Sequence, residues 1–310
     1  MSLIKAYLKW IIVGFTLFFI IITFKKHWQA VTAISLNSQG WLWLFLALIT
    51  TLMAHIWSAW VWLWILKLFK QSFSNQWGLK VYLITNIYKY LPGNVGHFYG
   101  RISAISKQGG SLAVASLSVL LEPLIMAAAA LLIALLSHSL GLIETTNNLG
   151  ILWLQGLALI VVLIGIHPLI INRVIGLVNK LKSKENIKES SVYLDRYPGN
   201  ILLGELGFVL LRGLGFILVF LAFMPVTISQ IPILLSAFSF AWLLGLIIPG
   251  APGGMGVFEA TIITLFQSSN LPISIVLSAI AIFRIISILA ELIGAGIGYL
   301  FGNLSSRGNS

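Results

Sequence analysis

Seven ionisable side chains lie within or beside long apolar stretches of this 310-residue chain: Arg101, Glu122, Glu205, Arg212, Glu259, Arg284 and Glu291. Each costs roughly 3 kcal/mol at the centre of a bilayer, so seven left unpaired would cost on the order of 20 kcal/mol. Mutual pairing or a water-filled cavity must offset that cost, and either arrangement brings these residues together. Their chemistry is charge recognition. The chain has no cysteine, which removes disulfides, thiol catalysis and cysteine-based metal sites. The scattered His55, His138 and His167 lack metal-ligand spacing. No nucleophile elbow, Walker loop, HExxH or deaminase signature is present. The chain is therefore expected not to be an enzyme, with no catalytic residue, cofactor or metal.

Two breaks in the apolar sequence add backbone groups to these charges. Leu91-Pro92-Gly93-Asn94 divides region 79–108, and IIPGAPGGMGVFEA at 247–260 brings two prolines, four glycines and Glu259 into region 231–268. A helix restarting at Gly96 or Gly256 exposes amides with no intrahelical partner, and its positive end attracts anions. Pro92, Gly93 and Gly96, with Pro252, Gly253, Gly254 and Gly256, are the candidate headgroup-binding backbone. His97 and Arg101 add positive charge to the first break, and Glu259 sits in the first turn after the second.

The two breaks also resemble each other. PGNVGHFYGR at 92–101 aligns with PGGMGVFEAT at 252–261, and each is followed by an apolar helix bearing a charge, Glu122 in one and Arg284 in the other. An inverted repeat is the expected source, with halves at about 41–137 and 200–301. Across its axis the expected ion pairs are Arg101 with Glu259 and Glu122 with Arg284. Glu205 with Arg212, and Arg284 with Glu291, lie seven residues apart on shared helix faces and complete the set of candidate switching charges.

Composition says what must hold these residues. The chain is 59% hydrophobic and 9% charged, with a mean hydropathy of +1.00, whereas soluble domains carry about 25% charged residues. An all-α polytopic membrane protein is expected, one integral domain over 1–310. Spans of about 20 apolar residues are expected near 7–24, 41–66, 111–137, 149–172, 200–223 and 273–301. The divided regions 79–108 and 231–268 have shorter halves and are expected as two re-entrant or broken helical hairpins. The lysines and arginines of the 173–199 loop point to the cytoplasm and to anionic lipid headgroups. No basic patch interleaved with aromatics suggests nucleic acid. Six tryptophans between Trp41 and Trp64 are expected to form an interfacial belt with lipid packing.

Taken together, YLPGNVGHFYGR with Glu122 downstream and PGAPGGMGVFEA with Arg284 downstream resemble the membrane domain of bacterial lysylphosphatidylglycerol synthase/flippase proteins. The resemblance covers nearly the whole chain. It implies a multi-helix flippase-like fold in the bacterial inner membrane, with Pro92, Gly93, Gly96, Arg101, Glu122, Pro252, Gly253, Gly254, Gly256, Glu259 and Arg284 on the matching positions. His97 stands where a typical member has an acidic residue, so the family's substrate is not carried over. The soluble aminoacyl-transferase domain is absent, and lipid lysylation by this chain is not expected. The expected activity is movement of a phospholipid, aminoacyl-phospholipid or polyprenyl-phosphate-linked lipid between leaflets. A small-solute or ion-coupled transporter built on the same broken helices is the alternative. Compatible partners are membrane lipids, a second copy of the chain and a separate lipid-modifying or glycan-lipid enzyme.

Overall fold

The computed structural model describes residues 36–91, 94–139, 149–182, 193–248, 252–267, 269 and 271–307. The expected first span at 7–24 therefore lies outside the described residues, as do Pro92 and Gly93. Among the described residues every regular element is helical. In chain order these are α1 (Ser38–Leu68), α2 (Asn75–Asn86), a 3₁₀ turn (Ile87–Tyr90), α3 (Gly96–Lys107), α4 (Leu112–Ser139), α5 (Leu149–Gly165), α6 (Pro168–Lys182), α7 (Gly199–Phe223), α8 (Gln230–Ile247), a 3₁₀ turn (Pro252–Gly254), α9 (Val257–Phe266) and α10 (Ile273–Arg307). The protein is a polytopic α-helical membrane protein.

Local sequence accounts for several of these boundaries. Asn37 starts α1 by accepting a hydrogen bond from the Gly40 amide at 2.8 Å, and Ser74 accepts from the Trp77 amide at 3.2 Å to start α2. Leu91, the residue before Pro92, is extended at φ −68°, ψ 150°, as the proline ring requires, and it ends the first helical run. Gly96 then permits α3 to begin hard against the preceding turn: a Cβ there would lie 2.5 Å from the Tyr88 carbonyl oxygen.

Five helices, α1, α4, α7, α8 and α10, are long and apolar enough to cross a membrane, or six if the bent pair α5–α6 forms one span. Four coincide with expected spans. The expected 149–172 span is instead two helices meeting at 62° around Ile166–His167, where Pro168 has no amide to continue the first. Residues 173–182, expected as loop, are the rest of α6. The second divided region also departs from expectation, because α8 alone reaches the 18 residues that a span needs. The expected tryptophan belt is split. Trp41 and Trp60 face outward, whereas Trp62 is fully buried against Trp77, and the Trp57 indole donates to the Gly204 carbonyl at 2.7 Å.

Packing between the halves is reciprocal. α1 lies along α7, α2 lies against α10 and α4 lies against α8. Exchanging the halves turns the α2–α10 contact into the α8–α4 contact and leaves α1–α7 unchanged, as a two-fold relation requires. Consequently the two breaks face one another at the centre. The Ile87–Tyr90 turn packs on the Pro252–Gly254 turn, and a Cβ at Gly253 would lie 2.9 Å from the Tyr90 ring.

Candidate functional site

A cavity of about 330 Å³ occupies this centre. Its wall takes residues from both turns and from α1, α2, α3, α4, α7, α8, α9 and α10, and includes four cations, Lys89, Arg101, Arg212 and Arg284, with two carboxylates, Glu122 and Glu291. Glu259 joins them through Arg284, and Glu205 is buried outside the lining with neither oxygen hydrogen-bonded. The seven charges read from the sequence do converge, and the structure adds an eighth, Lys89. They do not pair as expected.

The first pair forms within the first half. Arg101 on α3 donates through Nη1 to Glu122 Oε2 on α4, both side chains being almost wholly buried. The same guanidinium lies 3.7 Å over the Tyr82 ring. Tyr82 donates to Glu122 Oε1 at 2.6 Å, and its own oxygen is 2.5 Å from Ser58 Oγ. Both oxygens of Glu122 are thus occupied by donors.

The second pair forms within the second half. Arg284 Nε donates to Glu259 Oε1 at 2.9 Å, while its two Nη atoms reach the carbonyl oxygens of Gly253 at 2.9 Å and Gly254 at 3.3 Å. The other oxygen of Glu259 accepts the Gly256 amide at 2.6 Å. These bonds require a backbone only glycine adopts easily, with φ of 59° at Gly253, 70° at Gly254 and 87° at Gly256. One ion pair therefore satisfies two carbonyls of the break and the Gly256 amide that precedes α9. The expected cross-pairs Arg101–Glu259 and Glu122–Arg284 are absent because each acid has a nearer base on its own half.

The halves are joined by a pair that the sequence analysis did not include. Lys89, in the first turn, donates to Glu291 on α10 at 2.6 Å, with His55 Nε2 3.5 Å from the same oxygen. Lys89 lies inside region 79–108, the expected broken hairpin, but is not among the seven charges singled out. Its two tyrosine neighbours, in Tyr88-Lys89-Tyr90, were the available signal of burial.

Arg212 and Glu205 remain. Their expected shared face on α7 is real, since both are buried, but no ion pair joins them. Seven residues of helix separate them by about 10 Å along the axis. Arg212 Nη2 donates to Ser287 Oγ at 3.2 Å, and the guanidinium lies 5.0 Å from the Phe283 ring; its Nε and Nη1 have no hydrogen-bond partner. Among the described residues it is the cavity cation without a carboxylate.

The two breaks also differ in what they offer. At the second, Glu259 accepts the Gly256 amide just ahead of α9 and sets a carboxylate in its first turn. At the first, no side chain caps α3, and Asn94, Val95, His97 and Phe98 around its start line the cavity. The His97 ring lies tilted against Phe98, centroids 3.9 Å apart, and its Nδ1 has no partner. An open helix end and an uncommitted guanidinium thus face one space, the arrangement that binds anions.

Comparison with known proteins agrees with the sequence motifs. No curated protein matches the chain significantly. A family model, that of the lysylphosphatidylglycerol synthase TM region, matches residues 8–294, and the chain belongs to that family.

Proposed function

We propose that the protein is a lipid translocase of the bacterial inner membrane, which holds a phosphate-bearing headgroup in the central cavity while the acyl or prenyl chains stay in the bilayer. The observation carrying this reading is Arg212, buried to 6% exposure and lining the cavity with two N–H-bearing nitrogens unpaired. A guanidinium in that position is costly unless an anion completes it. The uncapped start of α3 supplies further donors to the same cavity. Arg101 was the expected phosphate ligand, but Glu122 already neutralises it, so the role is assigned to Arg212.

The cavity rim favours a lipid over a free solute. Val95, Ile247 and Ile248 line the cavity and are 58%, 58% and 41% exposed, an apolar edge suited to hydrocarbon. A soluble anion would have no use for such an edge. The charge pairs Arg101–Glu122, Arg284–Glu259 and Lys89–Glu291 hold the breaks in this state and exchange as the halves move. A separate enzyme makes or modifies the lipid.

Purified protein reconstituted in liposomes with fluorescent phosphatidylglycerol or a polyprenyl-phosphate analogue tests this reading, with leaflet exposure read by an impermeant quencher. Wild type is expected to scramble at least one of these lipids, and Arg212→Met to lose that activity while melting no earlier. Failure of wild type with every phosphate-bearing lipid would contradict the translocase and favour a solute carrier.

A further inference from the structure

The polar centre holds four cations and four carboxylates, and three of the carboxylates have a base: Glu122 with Arg101, Glu259 with Arg284, and Glu291 with Lys89. Glu205 is the fourth. It is 0% exposed, and neither of its oxygens has a hydrogen-bond partner. An ionised carboxylate in that position would be an uncompensated buried charge, which proteins avoid by taking up a proton. We infer that Glu205 carries a proton in this state, and that its ionisation is linked to anion occupancy of the cavity around Arg212. The linkage rests on the function proposed above; the protonation does not.

The groups around Glu205 give the direction of the linkage. The charged groups that face it are Glu122 and Arg101, with Tyr82 beside them, and these three line the cavity. Of the helices packed against α7, α8 carries no titratable side chain. α1 carries His55, set against Glu291, and the exposed Lys67. α10 carries Arg284 and Glu291, which are committed to Glu259 and Lys89, with Tyr299 and Arg307 further along its sequence, and α4 carries Glu122 and His138. α7 itself adds Arg212. Glu122 accepts from both Tyr82 and Arg101, so it is the ionised member of the carboxylate pair and Glu205 the neutral one. Glu205 can release its proton only when Arg101 or Arg212 turns towards it. An anion held on Arg212 prevents its turn, while Arg101 stays on Glu122. Anion binding therefore holds the proton on Glu205, and proton and anion occupy the protein together.

Infrared difference spectroscopy of the reconstituted full chain reads this directly, through the carbonyl stretch of a protonated, non-hydrogen-bonded carboxylic acid. Wild type is expected to show that band at neutral pH, Glu205→Gln to lose it, and Glu122→Gln, which frees Arg101 to turn towards Glu205, to weaken it. Glutamine is the isostere of the neutral acid, so Glu205→Gln is expected to melt no earlier than wild type. Glu205→Asp, which shifts the band without removing it, covers the case in which the glutamine variant folds poorly. With short-chain phosphatidylglycerol present, the wild-type band should persist to higher pH. Persistence with inorganic phosphate alone would keep the linkage but assign the site to a free anion, overturning the lipid reading separately. A spectrum unchanged by Glu205→Gln would overturn the proton assignment, and a band indifferent to both anions would overturn the linkage.

Discussion

At the residue scale, the site divides into charges that hold the structure and charges left for a ligand. Arg284 is of the first kind. Its Nε and both Nη atoms are committed in different directions, to one carboxylate and two backbone carbonyls. Lysine, a point charge on a flexible stem, cannot make that fork. Arg284→Lys is therefore expected to lower stability by about 3 kcal/mol, the scale for breaking a buried pair, seen as an earlier thermal unfolding transition in detergent. An unchanged transition would mean that the fork holds nothing. The sequence made all seven helix charges legible, because a charge in an apolar helix must find company. It did not reveal the pairing, since which acid lies nearer which base depends on helix packing. Lys89 escaped for the complementary reason: only the fold buries the polar stretch in which it sits.

At the element scale, the two breaks do different work although their sequences match. Each is followed by a short helix, α3 or α9, in line with the alignment of 92–101 with 252–261. Glu259 then makes the second a closed clamp, whereas the equivalent position in the first is Tyr99, 74% exposed. The glycines differ as well. Gly253 combines a φ of 59° with the Tyr90 ring 2.9 Å from a built Cβ, while Gly256, at φ 87°, has open space. Gly253→Ala is expected to part the two turns and abolish lipid scrambling. Gly256→Ala should impose backbone strain alone, about 1–3 kcal/mol, and retain activity. Equal effects in the paired assays would refute the claim that the turns must touch. The elements least legible in the sequence were α8, whose 18 residues fall at the border between half-span and span, and α6, where an amphipathic, lysine-bearing helix reads as basic loop.

At the scale of the whole molecule, the reciprocal contacts α1–α7, α2–α10 and α4–α8 describe two halves sharing one central cavity. The matched motifs pointed to a meeting of the two breaks, because interruptions of a helix are costly in a membrane unless protein satisfies them. The α1–α7 seam lies on the exchange axis and is expected to act as a pivot. Gly204 and Val61 touch across it, a built Cβ lying 2.8 Å from Val61 Cγ2, within disulfide reach. In a chain without native cysteine, the Val61→Cys/Gly204→Cys cross-link should leave scrambling intact; loss restored by reduction would show that the seam itself opens. The central claim is that the cavity binds an anionic headgroup through Arg212. Its most direct measurement is the affinity of short-chain phosphatidylglycerol for wild type and Arg212→Met, with the exposed Lys107→Met as control. Hydrogen bonds to a charged group are worth about 1.5–3 kcal/mol, so a loss of roughly 10- to 100-fold confined to Arg212→Met is predicted. Equal affinity in wild type and Arg212→Met would contradict the account.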